Sequence, residues 1–169
     1  AFTTVFLTFA HAEEDYAREV QSMYVAYYGR PGDPGGIDYW ADVLETTGMG
    51  KAGIIDAFGD SEEYNTRFGE LTEEVLVNNI FQQLFGRDAD PEGLAFYVDR
   101  LQSGQSTLGT IALNVLDGVR SGTDDKSIVS NKLDLAEFFT DGVEDFGASY
   151  SEGEIDTVYS LMNSVGLPN

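Results

Sequence analysis

The acidic residues between Gly86 and Leu101 are spaced as metal ligands often are. In "GRDADPEGLAFYVDRL", Asp88, Asp90 and Glu92 alternate, Gly93 follows, and Asp99 stands at the twelfth place counted from Asp88. A helix–loop–helix calcium site takes oxygen ligands from positions 1, 3 and 5, a glycine at 6, a backbone carbonyl at 7 and a carboxylate at 12. Asp88, Asp90, Glu92, Gly93, Leu94 and Asp99 offer that order, with calcium as the candidate cofactor. Other features oppose it. The last ligand is usually a bidentate glutamate. Pro91 suits the first position of a helix and Asp90 its cap, so a helix would start before the loop is complete. A related stretch carries Pro31 and Gly35 where the first and fifth ligands would fall. The favoured reading makes Asp90 a cap and pairs Asp88 with Arg87 or a helix end.

Further residues invite the same weighing. Arg30 and Arg87 each follow a glycine at the end of an apolar helical pattern. They could bind an anionic sugar. A guanidinium fastening its own loop to carbonyls or carboxylates explains them more simply, given so few cations. Tyr27, Tyr28, Tyr39, Trp40, Phe96 and Tyr97 could form a carbohydrate platform, but their helical spacing assigns most to a core. Asp124, Asp125, Asp141, Glu144 and Asp145 are loop carboxylates that could hold calcium between subunits, or form a solvated face. Paired carboxylates also suit a glycosidase. With 30 acidic residues some pair always qualifies, so no catalytic residue is assigned and no enzyme is expected.

Composition narrows the partners. The 169 residues contain no cysteine and one histidine, His11, which removes thiolate metal sites, disulfides and cysteine nucleophiles. Nine basic against 30 acidic residues give a net charge of −21. Such a chain repels phosphate backbones and anionic membranes, so nucleic acid is not expected as a partner. The same charge opposes compaction, and salt or divalent cations relieve it. This points to a saline or calcium-containing extracellular setting. No stretch is long and apolar enough to span a membrane.

The elements that must position these residues come from a repeat. "VQSMYVAYYGRPGDPGGIDYWADVL" from Val20 aligns without gaps on "VNNIFQQLFGRDADPEGLAFYVDRL" from Val77, 57 positions later. Tyr24 meets Phe81, Tyr28 meets Phe85, Arg30 meets Arg87, Asp33-Pro34 meets Asp90-Pro91, and Trp40 meets Tyr97. Each unit reads as a helix stopped by Gly29 or Gly86, a tight turn, and a second helix capped by Asp33 or Asp90. A third helix follows, near 51–58 and 108–119. Further helices are expected from Ser61, Thr72, Ser127 and Ser151, the last with Glu154 in a capping box. Ile128, Leu135, Phe138 and Phe139 give the Ser127 helix its apolar stripe.

"YYGRPGDPGGIDYW", "LFGRDADPEGLAFYVDRL", "AFGDSEEYNTRFG" and "ALNVLDGVRSGTDDKSIVSNKLDLAEFFT" together resemble an uncharacterised bacterial helical domain. That domain recurs in S-layer proteins, RTX-type adhesins and other large secreted proteins. The resemblance covers about residues 16–141. It implies secretion, cell-surface display and calcium-rich surroundings, with lipopolysaccharide attachment in some S-layers, and it transfers no catalytic residues. A fainter likeness to phycobilisome linker domains rests on "SEEYNTRF", but those tend to be basic.

The N-terminus stands outside this pattern. The sequence begins without methionine, as a processed or partial chain does, and Val5 to Ala10 with Ala-His-Ala resembles the end of a signal peptide. The alternative is an assembly arm. Phe2, Val5, Phe6, Leu7 and Phe9, with threonines between them, suit a strand that inserts into a neighbour.

The expectation is an all-α bundle of about seven to nine helices. It comprises an extended N-terminal arm (1–15), two related units (16–70 and 71–141) and a C-terminal loop and helix (142–169). The expected role is a secreted subunit that polymerises with itself into a surface layer, filament or matrix. The alternative is a calcium-dependent module for cell-surface polysaccharide.

Overall fold

A computed structural model describes residues 3–119, 122–148 and 150–166, with the backbone alone for 3–15 and 152. Among the described residues the secondary structure is entirely helical. The order is α1 (Thr3–Tyr28), α2 (Pro34–Thr46), α3 (Gly50–Gly59), α4 (Glu62–Phe68), α5 (Glu73–Phe85), α6 (Pro91–Gln102), α7 (Leu108–Asp117), α8 (Asp124–Asp145) and α9 (Glu152–Ser164).

The helices start where short polar side chains can accept from free N–H groups. Asp33 accepts from the Gly36 N–H at 2.9 Å and Asp90 from the Gly93 N–H at 2.8 Å. Ser61, Thr72, Thr107 and Thr123 cap α4, α5, α7 and α8 in the same way. Each such cap satisfies a donor that the helix itself leaves unpaired. At Ser151 the Glu154 carboxylate reaches back to the backbone N–H at 3.0 Å, the capping box expected there.

The repeat is visible helix by helix. Helices α1 to α4 correspond to α5 to α8, and the buried Ile54, Ile55 and Phe58 of α3 match Ile111, Ala112 and Val115 of α7. One shared core joins the units. It includes Val20, Met23 and Tyr27 of α1, Val77, Ile80 and Leu84 of α5, and Val129, Leu133 and Ala136 of α8. α1 packs on α2, α5, α7 and α8, and α3 packs on α7. α9 closes one side against α5 and α8, burying Val158 and Met162.

Both stop glycines are left-handed, Gly29 with φ +69° and Gly86 with φ +67°. A β-carbon at Gly29 would lie 2.5 Å from the Tyr159 ring and 2.8 Å from Gln83, whereas one at Gly86 would meet open space. Gly29 is therefore required twice over, by conformation and by the approach of α9.

Two expectations are corrected. The N-terminal arm is not an extended strand: the backbone is helical from Thr3, so Val5, Phe6, Leu7 and Phe9 lie in α1. Phe2 lies outside the described residues. A short apolar run does not distinguish strand from helix. No glycine or proline interrupts residues 1–28, so helix formed at Val20–Tyr28 propagates upstream at little cost. The second correction concerns α8. Its buried stripe is Val129, Lys132, Leu133, Ala136 and Thr140, while Phe138 is 77% exposed. Two polar residues belong to the inward face, which a search for apolar residues alone displaces.

Candidate functional site

The carboxylates between Asp88 and Asp99 are not gathered. Asp90 is the N-cap of α6, and Asp88 accepts from the Gln82 side chain at 2.8 Å. Glu92 is exposed in the first turn of α6. Asp99 lies nine residues along the helix from Asp90, about 13 Å at the rise of an α-helix. The twelve-residue loop suggested by the spacing is thus replaced by a cap and a helix, because Asp90-Pro91 starts α6 immediately. Among the described residues no group of three or more His, Cys, Asp or Glu side chains is placed to hold a metal ion. Asp125 pairs with Arg87, whereas Asp124, Asp141, Glu144 and Asp145 are exposed on α8.

What the fold does build, twice, is an arginine turn. Arg30 donates to the Pro31 carbonyl at 2.7 Å, and to Glu63 through Nε at 2.7 Å and Nη2 at 2.5 Å. Arg87 donates to the Asp88 carbonyl at 3.2 Å, and to Asp125 through Nε at 3.2 Å and Nη2 at 2.6 Å. Glu63 and Asp125 are each the second residue of the fourth helix in their unit. Each turn is also held from the preceding helix. The Gly32 N–H donates to Gln21 Oε1 at 2.8 Å, and the Ala89 N–H to Asn78 Oδ1 at 3.0 Å. These amides occupy equivalent repeat positions, and that equivalence is the signal in the sequence that could reveal them. The fastening role of the arginines thus has its geometry, with the carboxylate partners identified.

The two turns differ in their surroundings. Arg30 is 7% exposed, and its guanidinium stacks with Tyr24, Tyr28 and Tyr150 at 5.2, 5.3 and 5.4 Å. Burial opposes its charge, but the Glu63 hydrogen bonds and charge win, so its pKa stands above the ordinary arginine value. The Thr140 hydroxyl donates to the Gly32 carbonyl and accepts from the Gln21 amide, both at 2.8 Å, which ties the first turn to α8. Arg87 instead has its side chain 49% exposed and stands over Phe85 at 5.3 Å.

Sequence reading misses Lys132. It is fully buried on α8 and donates to the Gln82 and Gln83 carbonyls at 3.2 and 2.7 Å, the last turn of α5. A cation there answers the helix's negative end. Burial lowers its pKa from 10.5 to about 8. Between about pH 8 and 10 the unfolded chain therefore holds a proton at this group that the folded chain releases, and its contribution to stability rises with pH. Towards the top of that window and above it the buried tyrosines act with the opposite sign. Burial raises Tyr28 to about 12, and Tyr24 and Tyr27 further, so the folded chain keeps protons that the unfolded chain loses. The melting temperature is expected to climb from pH 8 to a maximum between about pH 9 and 9.5 and then fall, since one lysine is opposed by several tyrosines whose unfolded forms titrate near pH 10. In Lys132→Met the climb disappears. A wild-type melting temperature that falls steadily from pH 8 would contradict this.

Several aromatic residues face solvent. Tyr39 and Phe96 are 60% and 54% exposed at equivalent positions of α2 and α6, edge-on to Trp40 and Tyr97. Tyr27, Tyr28, Trp40 and Tyr97 pack in or against the core instead.

The stretch from the middle of α3 to the end of α7 carries Glu63, the Arg87 turn without its partner Asp125, and the first three helices of the second unit. Residues 55–118 match a domain of unknown function, DUF4214. The DUF4214 match is narrower than the 16–141 resemblance read from sequence, and leaves the Arg30 turn, α8 and α9 outside it. No curated protein and no solved structure matches the chain. Among the described residues no helix is long and apolar enough to cross a membrane.

Proposed function

We propose that the chain is a secreted structural subunit that assembles with copies of itself at a bacterial cell surface. The observation that supports this is the length of α1. Its repeat partner α5 begins at Glu73, the counterpart of Tyr16, yet α1 begins at Thr3. Residues 3–15 are a helical extension that the second unit does without. The spacing of Val5, Phe6 and Phe9 is that of one side of a helix. An apolar helical side is a surface that seeks a groove. Donor and acceptor surfaces would differ, so the contact is head-to-tail and closes into a ring or continues as a fibre. The resemblance to domains of S-layer proteins and large secreted adhesins agrees with this reading.

The charge sets the conditions. Bodies carrying −21 repel each other at low ionic strength. At about 0.5 M salt the screening length falls to about 4 Å, and the apolar contact prevails. Calcium acts here as a counter-ion that screens the acidic faces. In sedimentation velocity the assembled fraction is expected to grow as sodium chloride rises, and again with millimolar calcium. A chain that remains monomeric throughout contradicts the proposal.

A second reading has its own observation. Tyr39 and Phe96 repeat an exposed ring at equivalent places, as a module gripping cell-surface polysaccharide would require. Binding of a glycan array by monomeric protein, lost in Tyr39→Ala and Phe96→Ala, would favour it over assembly.

A further inference from the structure

The repeat makes one unit a template for the other, and among the interior positions where they differ is one between aromatic rings, Phe58 in the first unit and Val115 in the second. In the first unit the Phe58 ring lies among four others, 4.8 Å from Tyr24, 4.9 Å from Tyr28, 5.8 Å from Trp40 and 6.3 Å from Tyr27. The counterparts of Tyr24, Tyr28 and Trp40 are Phe81, Phe85 and Tyr97, that of Tyr27 is Leu84, and that of Phe58 is Val115. The second unit thus keeps three of the four aromatic walls and has a smaller side chain between them. A recess of about 270 Å³ lies there, lined by Phe81, Phe85, Tyr97 and Val115 and by the polar Asn114 and Thr123, and edged by Arg87 and Asp125. Tyr150 of the C-terminal segment also stands on the Arg30 guanidinium of the first unit, whereas among the described residues Arg87 meets the ring of Phe85 alone.

The geometry points to a binding site for one neutral aromatic ring supplied from outside the fold of this unit. The volume suffices: an enclosed apolar cavity of about 150 Å³ takes up benzene, and this recess is larger and open to solvent on one side. The walls agree as well. Phe81 stands edge-on to Phe85 at 5.7 Å and tilted to Tyr97 at 6.2 Å, so an inserted ring finds edges and faces at favourable angles. The Arg87 guanidinium presents a flat cation to a π face. Its charge is already met by two hydrogen bonds to Asp125, so the site favours a phenyl or phenol ring over a carboxylate or phosphate. The inference does not depend on the assembly proposal.

The test uses p-cresol as ring and cyclohexanol as a non-aromatic control, titrated into the full chain while the Val115 methyl signals are followed by NMR. p-Cresol is expected to shift those signals saturably, with cyclohexanol at least about tenfold weaker. Val115→Phe restores the arrangement of the first unit. It is expected to melt higher than wild type and to bind p-cresol at least about tenfold less tightly. Val115→Leu, a milder filling, should weaken binding to an intermediate degree and serves if the phenylalanine variant does not fold. Unmoved Val115 signals, equal binding of cyclohexanol, or undiminished p-cresol binding by the filled variants overturns the inference. Self-association that falls in Val115→Phe identifies the natural ring as a side chain of another copy. Unchanged self-association identifies it as a free small aromatic molecule. Both results support the site.

Discussion

Arg30→Ala is expected to destabilise the protein by about 3–5 kcal/mol, while the equivalent Arg87→Ala costs about 1 kcal/mol or less. The two arginines make the same hydrogen bonds, so the difference reports burial and the three tyrosine rings around Arg30. Removing the Arg30 side chain deprives the Glu63 carboxylate, whose side chain is 22% exposed, of its cation, and leaves the Pro31 carbonyl with only the 3.4 Å bond from the Tyr150 hydroxyl. It also removes the cation that three tyrosines surround. At Arg87 water can replace the guanidinium, because that side chain is already half exposed. For a chain of this length the loss at Arg30 corresponds to a fall of about 10 °C or more in melting temperature. Arg30→Lys should lie between, since lysine keeps the charge but not the planar fork that meets Glu63. Urea melts followed by circular dichroism measure all three. Equal costs for Arg30→Ala and Arg87→Ala would show that burial does not govern these turns.

Much of this architecture is legible in the amino-acid sequence. Gly29 and Gly86 as helix stops, Asp33 and Asp90 as caps, and the ungapped register between the units follow from local chemistry, and local chemistry is written in neighbouring letters. The arginine turns are half legible. Their fastening role follows from position, but Glu63 and Asp125 lie 33 and 38 residues away among many acids. Only the packing of α4 and α8 brings them in. Asp99 is misplaced by a ligand pattern, which counts residues and ignores that Pro91 commits the chain to a helix. Lys132 escapes notice because its partners are backbone carbonyls, which leave no mark in sequence. At the N-terminus the apolar run has no period long enough to separate strand from helix, and the choice falls to the helix already formed downstream.

Deleting residues 1–15 is expected to leave the body folded and to weaken assembly by at least about 100-fold in the concentration required. The body should survive because the described core of α1 begins at Val20, and because α5 serves the second unit from the equivalent of Tyr16. The loss should be large because Phe2, Val5, Phe6, Leu7 and Phe9 leave with the segment. Full burial of such side chains contributes about 1.5–3 kcal/mol each. Ordering the segment and fixing two bodies together consumes most of that gain. A residual loss of about 3 kcal/mol already exceeds 100-fold in association. Val5→Ser with Phe9→Ser should reproduce most of the effect without shortening the chain.

The direct measurement is sedimentation velocity of the full chain and of residues 16–169, side by side, across a concentration series in about 0.5 M salt, where charge repulsion is screened. The account predicts growing assemblies for the full chain and a folded monomer, by circular dichroism, for the shortened one. Assembly of the shortened chain at the same concentrations as the full one would contradict it.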